Sequence, residues 1–274
     1  MKLLNFGCGA TFHPAWVNID LVSFSREVRA YDIRKNLPYP DAEFDACYSS
    51  HVVEHLKQDE AQKMLVECHR VLKQKGIIRI VVPDLESIVR DYLNALEQVD
   101  SGLKEVEPNY DWIMLEFYDQ TVRSFGGGEM MRFLLNPDIS NKDFIRPRIG
   151  AEAQNYWEVQ PLQKSLWEKI TSKQPYWFVQ KLRIIITKFL VARIAGNEAM
   201  QAFEEGVFRN SGEIHRWMYD RYSLRRLLEQ AGFIDVRICR ADESRIPDFN
   251  SYNLDIVEGK VRKPVSLFME GIKP

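Results

Sequence analysis

The feature that most constrains this chain is a series of strand-length apolar runs near its start, each closed by turn-forming or polar residues. Leu3-Leu4-Asn5-Phe6 leads into Gly7-Cys8-Gly9, and Trp16-Val17-Asn18-Ile19 into Asp20. Val28 to Tyr31 ends in Asp32, and Phe44 to Tyr48 ends in Ser49-Ser50. Runs of this length with such boundaries read as buried strands. A helix is predicted from Asp59 to Lys73, with Ala61, Met64, Leu65, Cys68 and Leu72 on one face and Gly76 as its stop. Ile77 to Val82, closed by Pro83-Asp84, is a fifth strand rich in β-branched residues. Tyr222 to Ala231 is a second amphipathic helix ending at Gly232, and Ile234 to Cys239 and Pro264 to Glu270 complete seven strands. Strands alternating with crossovers predict an α/β chain with a mostly parallel sheet.

The middle of the chain differs. It is helical in pattern, rich in Trp and Tyr, and interrupted by Gly126-Gly127-Gly128, a hinge or a surface loop. The predicted division is a core of residues 1–86 and 216–274, with a helical cap at 87–215 for acceptor binding or oligomerisation. Such an insertion follows the fifth strand and sits over the carboxyl edge of the sheet, where open α/β folds bind ligands.

Composition excludes some partners. Apolar residues make up 45% and charged residues 28%, the profile of a globular chain. A net charge of -2 argues against a nucleic-acid substrate. The four scattered cysteines, without a C-x-x-C pair, fit free thiols in a reducing compartment. With a strand starting at Leu3 and no membrane-length apolar run, the expected location is the cytoplasm. Residues 169–197 carry six basic and no acidic residues among aromatic and aliphatic ones. That stretch reads as a lid, a homodimer contact or a peripheral membrane contact.

The first strand end carries a glycine turn, and the next two carry acids. Gly7 and Gly9 allow a ligand to lie against backbone. Asp20 can accept hydrogen bonds from both hydroxyls of a ribose. Asp32 and the amide of Ile33 can read an adenine edge. A dinucleotide fingerprint wants a third glycine and a helix that holds pyrophosphate. Residues 10–16 offer neither, so a nucleoside without phosphate suits this turn better.

The segments LNFGCG, VNID, LPYPDAEFDACYSSHVVEHL and ECHRVLKQKGIIRIVVPD resemble S-adenosylmethionine-dependent class I methyltransferases, in particular methyltransferase type 11-like members of bacterial glycan and secondary-metabolite groups. The resemblance covers residues 3 to 86 and implies a Rossmann-like, seven-stranded, mostly parallel sheet. It implies S-adenosyl-L-methionine as cofactor, held by Phe6, Gly7, Cys8, Gly9, Asp20, Leu21, Asp32 and Ile33, with Ser49 and Ser50 near the sulfonium. The helices the family usually has before the first strand and after the glycine turn are missing from this pattern. The segment from Ser211 to Asp220 resembles that of bacterial members found among glycan and secondary-metabolite genes. It supports O-methylation of a sugar-like small molecule, with Glu213, Trp217 and Tyr219 as acceptor contacts. Methylation of a secondary metabolite at oxygen, nitrogen or carbon, and a catalytically silent nucleoside-binding scaffold, are the alternatives.

His51-Val-Val-Glu54-His55 matches the H-x-x-E-H zinc pattern, but it spans a strand-to-helix junction, so no metal is expected there. His55 is read as packed in the helix. His51 is either a general base or a pocket-lining residue. Asp84 is a second base candidate or the cap of the next helix. His215 is a third, or part of a packed aromatic junction.

Overall fold

The structure is a computed structural model that describes residues 1–23, 25–150, 152–157 and 175–274. Seven strands form one sheet: β1 (Leu3–Phe6), β2 (Val17–Asp20), β3 (Val28–Ala30), β4 (Phe44–Ser50), β5 (Leu72–Pro83), β6 (Ile234–Cys239) and β9 (Ser266–Ile272). Their order is β3-β2-β1-β4-β5-β9-β6. Only β9 runs against its neighbours, pairing antiparallel with both β5 and β6. The connection reverses direction between β1 and β4, which opens a crevice at the carboxyl ends of those strands.

The expected seven-stranded α/β sheet is present. Several boundaries differ. Helix α1 spans Gln58–Val71, and β5 begins at Leu72, well before Gly76. Leu72 pairs with Phe44 and Ile77 with Ala46, so the residues between Leu72 and Ile77 bulge out of the ladder. Lys75 takes a left-handed φ of 62° in that bulge. β4 runs on to Ser50 because Ser49 and Ser50 pair with Ile80 and Val81.

The two faces of the sheet are covered differently. Ala61, Met64, Leu65 and Cys68 of α1 pack on one face, together with Leu224, Leu227 and Leu228 of α8 (Arg221–Gln230). Asp220 caps α8 by accepting from the amides of Tyr222 and Ser223. On the other face, Leu3, Trp16, Tyr48 and Phe268 meet Ala241, Ile246, Phe249 and Leu254. Residues 10–16 contain no helix, and this face is covered by the stretch between β6 and β9, which holds the small hairpin β7 (Ile256–Val257) and β8 (Lys260–Val261). That covering was not legible in the sequence pattern. It is anchored by Arg79, which is fully buried and pairs with Asp255 at 2.8 Å and Glu270 at 2.9 Å.

Helices follow β5 as anticipated: α2 (Leu85–Asp100), α3 (Glu107–Val122), α4 (Gly128–Leu134), α5 (Lys142–Ile149), α6 (Glu152–Trp157) and α7 (Pro175–Arg209). Ile88 and Ala95 of α2 pack on Ile113 of α3, while Trp112, Leu134 and Ile145 form a second small core. The three glycines form a pinned turn. The Gly127 amide donates to Glu213 Oε1 at 3.0 Å, and a Cβ on Gly128 would meet Asp119 Oδ2 at 2.2 Å. Helix α7 breaks at Gly196, and Lys188 pairs with Glu204 across the break. A straight helix would hold those two residues roughly 24 Å apart, so the two segments fold back on each other. Within the basic stretch 169–197, residues 169–174 lie outside the described residues.

Candidate active site

Two cavities meet beside the end of β4. The first, of about 460 Å³, lies at the carboxyl ends of β1 to β3 and is lined by Gly7, Gly9, Asp20, Leu21, Asp32 and Ile33. The second, of about 300 Å³, lies under the helices and is lined by His215, Gln120, Arg123, Arg148, Lys263 and Ser266, among others. His51 and His55 line both.

The first cavity is built by the backbone leaving β1. Gly7 has φ +64° and packs so closely on Val52 that a Cβ would sit 2.4 Å from Val52 Cγ2. Gly9 has φ +54°, and a Cβ there would meet nothing within 4 Å, so its face is open to a ligand. Asp20 closes the turn, accepting the Gly9 amide at 2.8 Å on Oδ2 and the Val22 amide at 3.1 Å on Oδ1. Each carboxylate oxygen keeps a further lone pair for a ligand hydroxyl. An anionic side chain at the turn, with no helix starting behind it, suits a ribose and repels a phosphate.

Six of the ten proposed cofactor contacts thus line one cavity. Asp32 is there, but Arg34 grips its carboxylate in a fork, with both contacts at 2.8 Å. That hydrogen bond from the guanidinium holds the Asp32 pKa below the usual range. The side chains of Phe6, Cys8, Ser49 and Ser50 do not reach the wall. Phe6 and Ser49 are fully buried, and Cys8 is buried with its thiol pKa pushed up to about 12 by burial and the nearby Asp20 charge. Ser50 Oγ accepts from Arg262 Nη2 at 2.9 Å. The extension of β4 causes this, because alternation along a strand turns Ser49 into the sheet interior.

His51 follows β4 directly, with a left-handed φ of 56°. Its amide continues the ladder to the Val81 carbonyl. The short helical turn begins only at Val53, so His51 and His55 do not share a regular helix. His51 Nδ1 lies 3.3 Å from Glu54 Oε1, and Nε2 lies 2.9 Å from Ser266 Oγ. With its Nδ1–H toward the carboxylate, the ring turns its Nε2 lone pair to the second cavity. Burial pushes the His51 pKa below the ordinary imidazole range, with Glu54 pulling the other way. Glu54 is fully buried; burial works against its charge, and His51 holds its pKa below the usual carboxylate range.

His215 arrives from the returning segment, its amide held by the Gln120 carbonyl at 2.8 Å and its ring edge-on to His55. Burial pushes its pKa to about 3, so the imidazole is neutral. The other candidates fall elsewhere. Asp84 caps α2 by accepting the Glu86 amide at 3.1 Å and lines neither cavity. Glu213 is spent on the glycine turn. Trp217 and Tyr219 face a shallow depression with Gln58 and Ser223 instead of His215. The amides of Arg216 and Trp217 both donate to the Glu54 carbonyl, so the chain bends there and the alternation is lost. Residues absent from the sequence reading include Arg123, Arg148 and Lys263, whose sequence neighbours carry no motif that points to a site. Arg148 is paired with Glu116 and Asp91, and burial pushes the Lys263 pKa down to about 8 against the pull of Glu54.

A family model described as a methyltransferase domain (Methyltransf_11) matches residues 11–80. No curated protein matches the chain. Among solved structures, it is similar to the YcgJ protein of Bacillus subtilis, with 22% identity over 35% of this chain and 51% of that one, at a TM-score of 0.27. It thus spans about half the length of that relative. A SAM-dependent methyltransferase from Archaeoglobus fulgidus is 13% identical over 99% of this chain and 86% of that one, at a TM-score of 0.38. A possible histamine N-methyltransferase from Thermotoga maritima is 11% identical over 100% of this chain and 82% of that one, also at 0.38. The strand order with its single reversed strand, the glycine turn closed by Asp20 and the methyltransferase-domain match over residues 11–80 give this chain a Rossmann-like α/β fold similar to that of class I S-adenosylmethionine-dependent methyltransferases.

Proposed function

We propose that the chain methylates a hydroxyl of a small, sugar-like acceptor held in the second cavity. The observation that carries this reading is the shared wall: His51 and His55 line both the nucleoside cavity and the cavity under the helices. A volume of about 300 Å³ sits at the lower end of ordinary ligand sites and suits a small acceptor. Its wall offers Gln120, Arg123, Lys263 and Ser266, which suit hydroxyl-rich rather than apolar molecules. Gly7, Gly9, Asp20, Leu21, Asp32 and Ile33 would hold the cofactor, which supplies an electrophilic methyl group on a sulfonium. His51 takes the hydroxyl proton on Nε2 as the acceptor oxygen attacks, and Glu54 keeps the ring in the tautomer that leaves Nε2 free. Residues 87–215 act as the acceptor-binding cap over the core of 1–86 and 216–274.

The test is a screen of sugars and glycosides with a methyl-labelled donor, run beside calorimetry with the demethylated cofactor. Cofactor binding with label transfer to a sugar hydroxyl is the expected result. Binding without transfer to any acceptor class would favour the silent scaffold.

A second observation concerns partners. Leu182, Ile185, Ile186, Phe189, Leu190 and Ile194 recur at helical spacing on α7 and are all about half exposed or more. Basic residues accompany them, and residues 175–197 contain no acid. This surface is assigned to an anionic lipid interface, which fits a lipid-linked sugar. No helix among the described residues is long and apolar enough to cross a membrane. Sedimentation with anionic vesicles should carry the protein down; a concentration-dependent dimer that ignores vesicles would assign α7 to self-association instead.

A further inference from the structure

Among the described residues, Glu54 has no hydrogen-bond partner for either carboxylate oxygen, although its side chain is fully buried. A buried carboxylate left that way is costly unless a cation compensates it. His51 Nδ1 lies 3.3 Å from Oε1. His215 is also more than nine-tenths buried, and its Nδ1 has no hydrogen-bond partner among the described residues. His55 is oriented by a 3.1 Å contact between Nδ1 and the Ile214 carbonyl, which leaves Nε2 for another role. Glu54, His55 and His215 each bring one donor atom to within 4.8 Å of the other two. Backbone hydrogen bonds hold the two chain segments together. The Glu54 carbonyl accepts the amides of Arg216 and Trp217, and the Gln120 carbonyl accepts that of His215.

We propose that Glu54, His55 and His215 form a binding site for a divalent transition-metal cation. Two imidazoles and one carboxylate are a donor set for Zn²⁺, Mn²⁺ or Fe²⁺, whereas Mg²⁺ prefers oxygen throughout. The contact between His55 and the Ile214 carbonyl is the kind of outer hydrogen bond that fixes a metal-bound imidazole. The site does not depend on the H-x-x-E-H helix, since His51 is outside the set and the third ligand comes from the returning segment. His55 and His215 both line the second cavity, so coordination positions not filled by protein face it. A cation there lowers the pKa of a bound hydroxyl and favours acceptors with two adjacent oxygens. This last role rests on reading the cavity as the acceptor site; the binding of the cation does not. Lys263, in the field of Glu54, is the rival counter-charge.

The test uses the full chain stripped of metal and titrated separately with Zn²⁺, Mn²⁺ and Mg²⁺ by calorimetry. Co²⁺ absorption reports the geometry of the site. One equivalent of Zn²⁺ should bind, more tightly than Mg²⁺. Glu54→Gln and His215→Gln should each weaken Zn²⁺ roughly 10- to 100-fold or more. Binding of the demethylated cofactor, measured on the same samples, verifies that the variants are folded. Lack of saturable Zn²⁺ binding at millimolar supply, or Zn²⁺ affinity unchanged in both folded variants, overturns the site and leaves Lys263 as the partner of Glu54. Should neither variant fold, the Co²⁺ spectrum of the unaltered chain decides: intense low-symmetry bands support the site, and the spectrum of the hydrated ion alone refutes it. None of these readouts requires methyl transfer, so failure of the metal site and failure of the proposed reaction are separable.

Discussion

His51 Nε2 and Ser266 Oγ lie 2.9 Å apart, linking the residue after β4 to the first residue of β9 across the mouth of the second cavity. The Ser266 hydroxyl thus stands where an acceptor hydroxyl would meet the imidazole. Replacing His51 by Gln should lower kcat by about 10²- to 10⁴-fold, the usual range for a lost general base. Ser266→Ala should alter KM more than kcat. Steady-state kinetics on both variants checks this, and a His51→Gln enzyme with unchanged kcat would remove His51 as base.

On the proposed reading, Asp20 serves the turn and the ligand together. Its oxygens accept the amides of Gly9 and Val22. Asp20→Asn should weaken cofactor binding about 10- to 100-fold, since hydrogen bonds to a charged group contribute about 1.5–3 kcal/mol. Calorimetry with the demethylated cofactor reads the change; unaltered affinity would deny the ribose role.

Gly7 and Gly9 should respond differently to alanine. At Gly7 the added Cβ collides with Val52, so stability and binding both fall, and Val52→Ala should restore part of the loss. At Gly9 the new methyl enters open space, so the fold loses only about 1–2 kcal/mol for the left-handed backbone, while the ligand face is obstructed. Thermal melts paired with binding isotherms separate the two outcomes.

Arg79 is fully buried between Asp255 and Glu270, and its guanidinium also donates to the carbonyls of Arg240, Ala241 and Glu243. Arg79→Ala leaves the buried Asp255 without its cation and Glu270 with Arg245 alone, and should destabilise the protein by about 3–5 kcal/mol. Urea denaturation measures it, and a loss below 1 kcal/mol (roughly the level of a surface pair) would show that the network is dispensable.

Glu270 gives the same network a pH dependence. Burial alone would raise its pKa, but Ser244, the Arg245 amide and Arg79 together hold it below the usual carboxylate value. A depressed folded-state pKa means that its stabilisation is present above the unfolded value of about 4.3 and is lost as pH falls through the folded value. Glu270→Gln should therefore be less stable than the unaltered protein at neutral pH, and the gap should narrow on acidification below about pH 4. Denaturation curves from neutral to acid pH test the sign.

Much of the cavity at the carboxyl ends of β1 to β3 was legible in the sequence because its signals are local. A strand that ends in Gly7-Cys8-Gly9, followed by strands that end in Asp20 and Asp32, needs only turn chemistry and strand periodicity to be read. Ser49 was misplaced because alternation predicts a face only when the strand's end is known, and pairing with β5 carried β4 further. Trp217 and Tyr219 were misplaced because the bend at Arg216 exists only through the Glu54 carbonyl.

The chain's local pattern, then, determined the parallel sheet, the glycine turn and the acids at the strand ends. Tertiary structure alone decided that His215 meets Glu54 and His55, that Arg79 meets Asp255 and Glu270, and that residues 240–265 cover a face of the sheet without an α-helix. A charged residue in an apolar pattern reads as solvent-exposed until its partner is known. These partners lie more than a hundred residues away, brought together by sheet order rather than by neighbouring sequence.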